Sequence, residues 1–175
     1  MSTSQNMALD QVRKMDDEIE EHKYLVFKLG NELYASSLIK IREILKGQSV
    51  KPVPFMAPYF RGILNLRGTI ISVVDLRLKL EIPCKDGDSC LLVVTDTTSG
   101  PIGAVVDDVV VVQEFLPSAI SRDLAIKTKI PVEFFYGVAK HGGRLVNIID
   151  IAATLTDGDF AVVKRQREDG LKKSS

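Results

Sequence analysis

The chain repeats one of its own segments after 75 residues, and this repeat constrains the fold more than any other feature of the sequence. The segment RGILNLRGTIISVVDLRLKL at 61–80 returns as YGVAKHGGRLVNIIDIAATL at 136–155. Four positions are identical in the two copies: Gly62 and Gly137, Gly68 and Gly143, Asp75 and Asp150, Leu80 and Leu155. A repeat of this length is a whole supersecondary unit, so the sequence predicts a fold with two similar halves.

Short β-prone runs separated by turn residues predict a mostly β protein. Tyr24–Leu29 and Leu33–Ser36 are typical of one hairpin. Ile63–Leu66 and Thr69–Asp75 predict a second hairpin around Arg67-Gly68, and the repeat predicts its copy. Many short strands with glycine at the hairpin tips favour two small β-barrels of about five strands each. Because each barrel is too small to bury its own faces well, we expect the two to share a core.

Four further segments have other patterns. Ile41–Leu45 fits either a strand or one helical turn, and Ala57–Arg61 predicts a single helical turn that ends at Gly62. Leu76–Leu80 predicts a short helix. The β-branched run Val109–Phe115 predicts a strand that is buried on both faces.

Changes in composition divide the chain into a folded part and two polar ends. The first 23 residues are acidic, but Ala8, Val12, Met15 and Ile19 recur at helical spacing. This end is therefore either a solvated extension or an amphipathic helix. The predicted divisions are an extension at 1–23, a folded domain at 24–156 with a first barrel at about 24–82 and a second at about 90–156, and a charged tail at 157–175. Crossing of strands between the two barrels is left open.

Charge and composition argue against several classes of function. Lys and Arg number 23, and Asp and Glu also number 23, so the chain lacks the basic excess of a typical nucleic-acid binder. No run approaches the ~20 apolar residues of a membrane span, and the N-terminus does not resemble a secretory signal. Cys84 and Cys90 are the only cysteines, and no metal-ligand spacing links them to the two histidines. We expect reduced thiols, no metal and no cofactor.

The repeated aspartates and glycines fit structural roles. Asp75 and Asp150 each stand at a strand end before a short apolar segment, where a carboxylate caps the first helical turn. On this interpretation Asp75→Ala loses roughly 1 kcal/mol, the value of one cap. Gly68 and Gly143 supply the left-handed backbone of a hairpin turn. A hydrolase that uses Asp75 or the Asp107-Asp108 pair is an alternative, but no nucleophile, base or phosphate-binding motif accompanies them.

Arg67 is the residue at which the two copies of the hairpin differ most clearly. Its counterpart in the repeat is Gly142, so the turn itself does not require an arginine. The side chain is either a solvated turn residue or a group presented to a partner, which suits its planar head with five donors. Glu43 stands between Ile41 and Ile44 and is either an ordinary surface acid or a contact beside an apolar patch.

Two stretches of the chain resemble the CheW-like family of bacterial chemotaxis coupling proteins. These are YLVFKLGNELYASSLIKIREIL and VPFMAPYFRGILNLRGTIISVVDLRLKL, and GAVVDDVVVV followed by the second copy of the repeat resembles the second half of that family. The resemblance covers about residues 24–156. It implies two five-stranded SH3-like β-barrels with short helices around a shared hydrophobic core, and it implies no catalysis.

The resemblance also implies partners. Proteins of this family bridge transmembrane chemoreceptors to the chemotaxis histidine kinase, so we expect a cytoplasmic adaptor that is recruited to receptor arrays. By position, the family's coupling surfaces are expected at Ile41, Glu43, Gly62, Leu66 and Arg67. Gly103 matches a family glycine, for which tight strand packing is the structural interpretation.

A small β-barrel that binds nucleic acid is the alternative from another class of function. Zero net charge and an aromatic content of 6% argue against it. Salt-dependent binding to RNA or DNA would distinguish the two.

Overall fold

Two five-stranded sheets dominate the structure, a computed structural model that describes residues 2–83, 91–123 and 130–155. The mostly β class and the two five-stranded units confirm the prediction. The helices of the described residues are α1 (Ser2–Glu21) and α2 (Leu76–Lys79). Their strands are β1 (Lys23–Leu29), β2 (Glu32–Ser37), β3 (Ile41–Lys46), β4 (Phe60–Leu66), β5 (Thr69–Asp75), β6 (Leu91–Thr97), β7 (Gly100–Val106), β8 (Asp108–Glu114), β9 (Phe135–His141) and β10 (Arg144–Ile149).

The distribution of strands between the sheets departs from the predicted barrels at about 24–82 and 90–156, which residues 83–90 would separate. The first sheet has the order β8-β1-β2-β10-β9, and the second has the order β3-β6-β7-β5-β4. Strands from both sides of the predicted boundary therefore meet in each sheet. The second sheet occupies a continuous stretch, 41–106, while the first combines 23–37 with 108–149. Successive residues of β1 and β2 are buried, so both faces of this hairpin are covered by other parts of the protein.

The two sheets have matching pairings. In each sheet one parallel pair joins the strand of a repeated hairpin to another hairpin, β10 with β2 and β5 with β7, and the remaining neighbours are antiparallel. In each sheet an isolated bridge pairs one edge strand with a residue that follows the other edge strand: Lys51, after β3, pairs with Ile63, and Ser121, after β8, pairs with Val138. The repeat read from the sequence thus corresponds to β4–β5 and β9–β10, in equivalent places.

The largest apolar cluster contains residues of both sheets and so holds them together. From the first sheet it includes Leu25, Phe27 and Tyr34, and from the second Val93 and Ile102, each at most 1% exposed. Each sheet also has one smaller apolar cluster, on its face away from the shared core. Burial on this scale supplies the main driving force for folding.

Two local predictions are wrong. Ala57–Arg61 does not form a helical turn: a backbone hydrogen bond from Phe60 N to Ala57 O closes a tight turn, and β4 begins at Phe60. Strand β8 is not buried on both faces, since exposed residues alternate with half-buried ones along it. It lies at the edge of its sheet, where the outward face has no covering layer. Ile41–Leu45, which fitted two structures, belongs to β3.

The acidic N-terminal extension forms the helix α1, which has the helical structure of one alternative and the solvated side chains of the other. The helix lies near the 3-10 turn Leu38–Lys40. Its described side chains are exposed, including Val12, Met15 and Ile19. The predicted tail at 157–175 lies outside the described residues.

Candidate functional site

The β4–β5 hairpin presents Arg67 at its tip. Arg67 and Gly68 form a two-residue turn with φ values of 50° and 87°, and both lie in the left-handed region. This is the turn that best matches the twist of two antiparallel strands. The Gly68 amide also donates a hydrogen bond to the Asn65 side-chain oxygen at 2.9 Å. The turn is therefore fixed by backbone and by Asn65, and the arginine side chain is left to extend from it.

The structure brings Arg67 and Glu43 together as an ion pair. The Arg67 guanidinium donates to a Glu43 carboxylate oxygen, across 24 residues of sequence. The arginine side chain remains 66% exposed and the glutamate 24% exposed. The sequence predicted each residue separately as a partner contact, and their pairing follows from the approach of β3 to the β4–β5 hairpin. A charge pair on a rigid turn beside solvent is a group that another protein can bind.

The other three predicted contact residues are more enclosed. Leu66 is half-buried and packs on the apolar cluster of the second sheet, and Ile41 is half-buried against the shared core. Gly62 is buried with φ of 137°, and a Cβ there would lie 2.0 Å from the carbonyl oxygen of Lys51. The structure thus gives Gly62 a packing reason, and its contact with a partner stays a prediction.

The equivalent hairpin of the first sheet lacks this charge pair. Its turn is Gly142-Gly143, with φ values of 55° and 76°, so the backbone conformation matches that of Arg67-Gly68. Among the described residues, no ion pair is formed by this turn. The same backbone device therefore serves both sheets, and only one copy carries a charged side chain at its first turn position.

Phe55 is an exposed apolar residue that the sequence reasoning did not single out. It lies on the connection between β3 and β4, its side chain is fully exposed, and its φ is 62°. Ile44 on β3 is also 43% exposed. Aromatic side chains held out into solvent are common anchors of protein interfaces. The neighbouring prolines Pro54 and Pro58 are the sequence signal for a constrained loop, but they do not indicate which residue it exposes.

A buried ion network lies below the hairpin, and most of it was not foreseen. Asp75 is fully buried and accepts hydrogen bonds from the Arg77 backbone at 3.0 Å and from the side chains of Arg77 and Arg61 at 2.8–3.0 Å. Arg77, which is 4% exposed, also donates to Asp107 at 2.7 Å. Asp107 accepts a further bond from the Gly30 amide at 2.6 Å. The network joins the end of β5 to the β7–β8 connection and to the β1–β2 turn.

The network sets the protonation of its members. Burial by itself raises the pKa of Asp75, but the hydrogen bonds and charges of Arg77 and Arg61 outweigh it, so the net pKa lies below the usual value. The hydrogen bond with Asp75 is the largest influence on Arg77 and raises the pKa of its guanidinium. Asp75 is therefore a carboxylate with all its acceptor sites engaged. It does not have the free oxygen that a catalytic base needs.

Asp150, the equivalent cap in the second copy of the repeat, lies closer to solvent and has a different charge partner. Asp150 accepts the amides of Ala152 and Ala153 at 3.0 and 3.4 Å, and it pairs with Lys40 at 2.5 Å near solvent. Gly103 has no steric need to be glycine, because a Cβ would lie 3.5 Å from Val73 Cγ2, an ordinary contact. The tight-packing interpretation of Gly103 therefore finds no support.

Within the described ranges, no three His, Cys, Asp or Glu residues are grouped as a metal ion would need. No helix of that part of the chain is long and apolar enough to cross a membrane.

The fold defines a class: a mostly β protein of two similar five-stranded sheets that are joined through one shared core. Within that class, the chain belongs to the CheW-like family, because the model of the CheW-like domain matches residues 23–159. This confirms the resemblance seen in the sequence.

Known proteins with similar sequence or structure carry matching descriptions. The chain is 31% identical over 137 residues to the chemotaxis protein CheW of Bacillus subtilis, covering 76% of this chain and 86% of that protein. It is 28% identical over 137 residues to the chemotaxis protein CheW of Treponema pallidum, covering 75% and 81%. The crystal structure of the scaffolding protein TtCheW from Thermoanaerobacter tengcongensis matches with a TM-score of 0.72 and 26% identity, covering 79% of this chain and 95% of that one.

Proposed function

We propose that this protein is a non-enzymatic adaptor of bacterial chemotaxis signalling, which acts in the cytoplasm at membrane receptor arrays. It bridges the cytoplasmic tips of methyl-accepting chemoreceptors to the chemotaxis histidine kinase CheA. Membership of the CheW-like family supports the proposal, as do the descriptions of its relatives as chemotaxis proteins and of a structural neighbour as a scaffolding protein.

The observation that carries the proposal is the exposed Arg67–Glu43 pair. A non-glycine residue in the left-handed region costs about 1 kcal/mol, and Gly142 shows that the equivalent turn forms with glycine. An exposed ion pair returns only about 0–1 kcal/mol of stability. Stability alone therefore does not account for an arginine at this position. Its side chain is suited instead to a carboxylate or backbone carbonyl of a partner.

Exposed apolar residues in the same part of the sequence also fit a protein interface of modest size. Ile44 follows Glu43 on β3 and is exposed on the opposite face of the strand, and the connection that follows β3 exposes Phe55. Arginine and aromatic residues are both enriched in the cores of protein interfaces. Reversible signalling contacts need interfaces of this moderate kind.

Arg67→Gly tests the proposal most sharply, because it substitutes the residue that the repeat has in the same turn. We expect the free energy of unfolding to stay the same or to rise by about 1 kcal/mol, since the left-handed strain is relieved. We expect assembly with receptor-containing membranes and the kinase to weaken roughly tenfold or more in a co-sedimentation assay. Arg67→Ala should weaken assembly in the same way, with the fold and melting behaviour nearly intact.

Arg144→Ala is the matched control. Arg144 follows the equivalent turn of the other sheet, is exposed, and donates to the Asn31 carbonyl at 2.7 Å. This variant removes one exposed arginine beside a hairpin and should leave assembly unchanged. Normal assembly of the Arg67→Gly protein, or equal losses in both variants, would contradict the role given to Arg67.

A further inference from the structure

The helix α1 carries an exposed apolar stripe. Val12, Met15 and Ile19 follow one another at spacings of three and four residues, so they lie on one face, and they are 54%, 61% and 44% exposed. The helix precedes the residues that match the family model, which begin at 23. The stripe therefore belongs to this chain's own extension and has no covering layer among the described residues.

The acidic side chains at the C-terminal end of α1 destabilise the helix electrostatically. Five of the six residues at 16–21 are acidic, namely Asp16, Asp17, Glu18, Glu20 and Glu21. They occupy the C-terminal end, where the helix dipole is already negative. Two pairs four residues apart, Asp16 with Glu20 and Asp17 with Glu21, also repel each other. None of the ion pairs between described residues involves an α1 side chain. A cationic partner would relieve this repulsion.

The same chain contains a segment of complementary composition. Residues 160–167 read FAVVKRQR: four apolar residues are followed by three basic residues and one glutamine, with no acid. This segment also lies outside the family match, which ends at 159. Its apolar half suits the stripe of α1, and its basic half suits the acids at 16–21.

The distances allow the two segments to meet. The described chain ends at Leu155, five residues after Asp150, and Asp150 lines the same cavity of about 390 Å³ as Glu21 and His22. The 20-residue helix is about 30 Å long. The twelve residues from 156 to 167 span up to about 40 Å when extended. The basic residues can therefore reach the acidic end of α1 without any change in the sheets.

We propose that residues 160–167 bind α1 of the same chain, with their basic residues against the acids at 16–21 and their apolar residues over Val12, Met15 and Ile19. Tethering makes this partner more available than a free one, because a short linker gives an effective concentration in the millimolar range. A second copy of α1 is a poorer occupant, since its acids repel the first. An anionic membrane surface is disfavoured for the same reason.

Hydrogen exchange of the 175-residue chain tests the contact. The double variant Lys164→Glu and Arg165→Glu should raise the exchange rates of the α1 amides roughly fivefold or more, because attraction becomes repulsion. The matched control, Lys172→Glu with Lys173→Glu, makes the same charge change further along the tail and should leave those rates as in the parent protein. Unchanged rates in the first variant, or equal increases in both variants, would overturn the proposal.

Carbodiimide cross-linking of mixed light and ¹⁵N-labelled protein distinguishes the two possible sources of the segment. The reagent joins a lysine amine to a nearby carboxylate, so Lys164 should link to acids at 16–21. Light-to-light and heavy-to-heavy products alone would support a contact within one chain. Mixed products would show that the helix binds the tail of a second copy, and links spread equally to the exposed Glu81 and Glu133 would show no specific contact; both results would overturn the proposal.

Discussion

Asp75 and Asp150 occupy the same place in the repeat but differ in their charge partners. Both accept backbone amides at the start of a short helical segment. Asp75 is also buried between two arginines, whereas Asp150 meets one lysine near solvent. Arg77 and Arg61 correspond to Ala152 and Tyr136 in the other copy. The sequence therefore predicted the cap that both copies share, but not the charge network that only one has, because its ion pairs join residues up to 30 positions apart and no local pattern links them.

The charge of Asp75 should matter more than its capping role, and Asp75→Asn separates the two. Asparagine caps a helix as well as aspartate, so this variant keeps the bond to the Arg77 amide but removes the buried one of the two carboxylates that pair with the Arg77 guanidinium. We expect a loss of about 3 kcal/mol or more in the free energy of unfolding at pH 7, well above the roughly 1 kcal/mol of a cap. Urea unfolding at neutral pH measures it. Asp150→Asn is the control and should lose at most about 1 kcal/mol; equal losses would contradict the network's role.

Acidic pH should reduce the difference in the free energy of unfolding between the parent protein and Asp75→Asn. The folded pKa of Asp75 lies below the unfolded value of about 4, so the carboxylate contributes stability that is fully present above that pH. This contribution disappears as the pH falls through the folded pKa, because the proton then binds in the folded state as well. The gap between the parent protein and Asp75→Asn should therefore narrow below about pH 4, and unfolding curves at several pH values would show it. A gap that stays constant down to the folded pKa would contradict the lowered pKa.

At the scale of elements, β4 depends on a close approach that only glycine allows. Gly62 interrupts the register between β4 and β5, and its missing side chain lets the Lys51 backbone pair with Ile63. The two backbone hydrogen bonds of that bridge are 2.8 and 2.9 Å long. Gly137 has a similar place in the repeat, where a Cβ would lie 2.6 Å from Ile120 Cγ2. Conservation of this glycine between the two copies therefore has a steric cause.

Gly62→Ala and Gly103→Ala should differ sharply in stability. The first places a Cβ against a backbone carbonyl at a left-handed φ, and we expect a loss of about 3 kcal/mol or more. The second adds a methyl group at ordinary contact distances in a β-strand, and we expect a change within about 1 kcal/mol. Thermal unfolding of the two variants measures both. If Gly62→Ala is as stable as Gly103→Ala, the close approach of the Lys51 backbone to Gly62 does not contribute substantially to stability.

The elements that the sequence predicted well are those whose signals are local. Both repeated hairpins follow from alternating apolar residues and turn glycines within about fifteen residues. The predictions that failed depend on distant partners. The helical turn at 57–61 gave way to a strand because Phe60 pairs with Val74, and β8 is half-exposed because it lies at a sheet edge. The Glu43–Arg67 pair likewise depends on how β3 meets the hairpin, although both residues were selected individually.

At the scale of the whole molecule, the stretch that forms the second sheet is inserted between two parts of the first sheet, and both sheets share one core. Residues 83–90, here called the connector, separate the two copies of the repeat in sequence but do not separate the strands of the two sheets. Strands β1 and β2 pair with β8 and β10, which come from the other side of the connector. The parallel pair β5–β7 makes the reverse crossing. Such an arrangement follows from long-range pairing, which a repeat period does not encode.

The pairing of strands across residues 83–90 predicts that the chain unfolds as one cooperative unit and cannot be divided there. Residues 1–86 and 87–175, produced separately, should each lack a folded β spectrum in circular dichroism, because each fragment leaves both sheets incomplete and exposes the shared core. Mixed in equal amounts, they should regain the β spectrum and a single unfolding transition. A division at 106–107 is the control: it leaves β3–β7 together in one fragment, which should retain more structure than residues 1–86 do. If residues 1–86 and 87–175 each fold alone with a cooperative transition, the pairing of strands across the connector is not what stabilises the molecule.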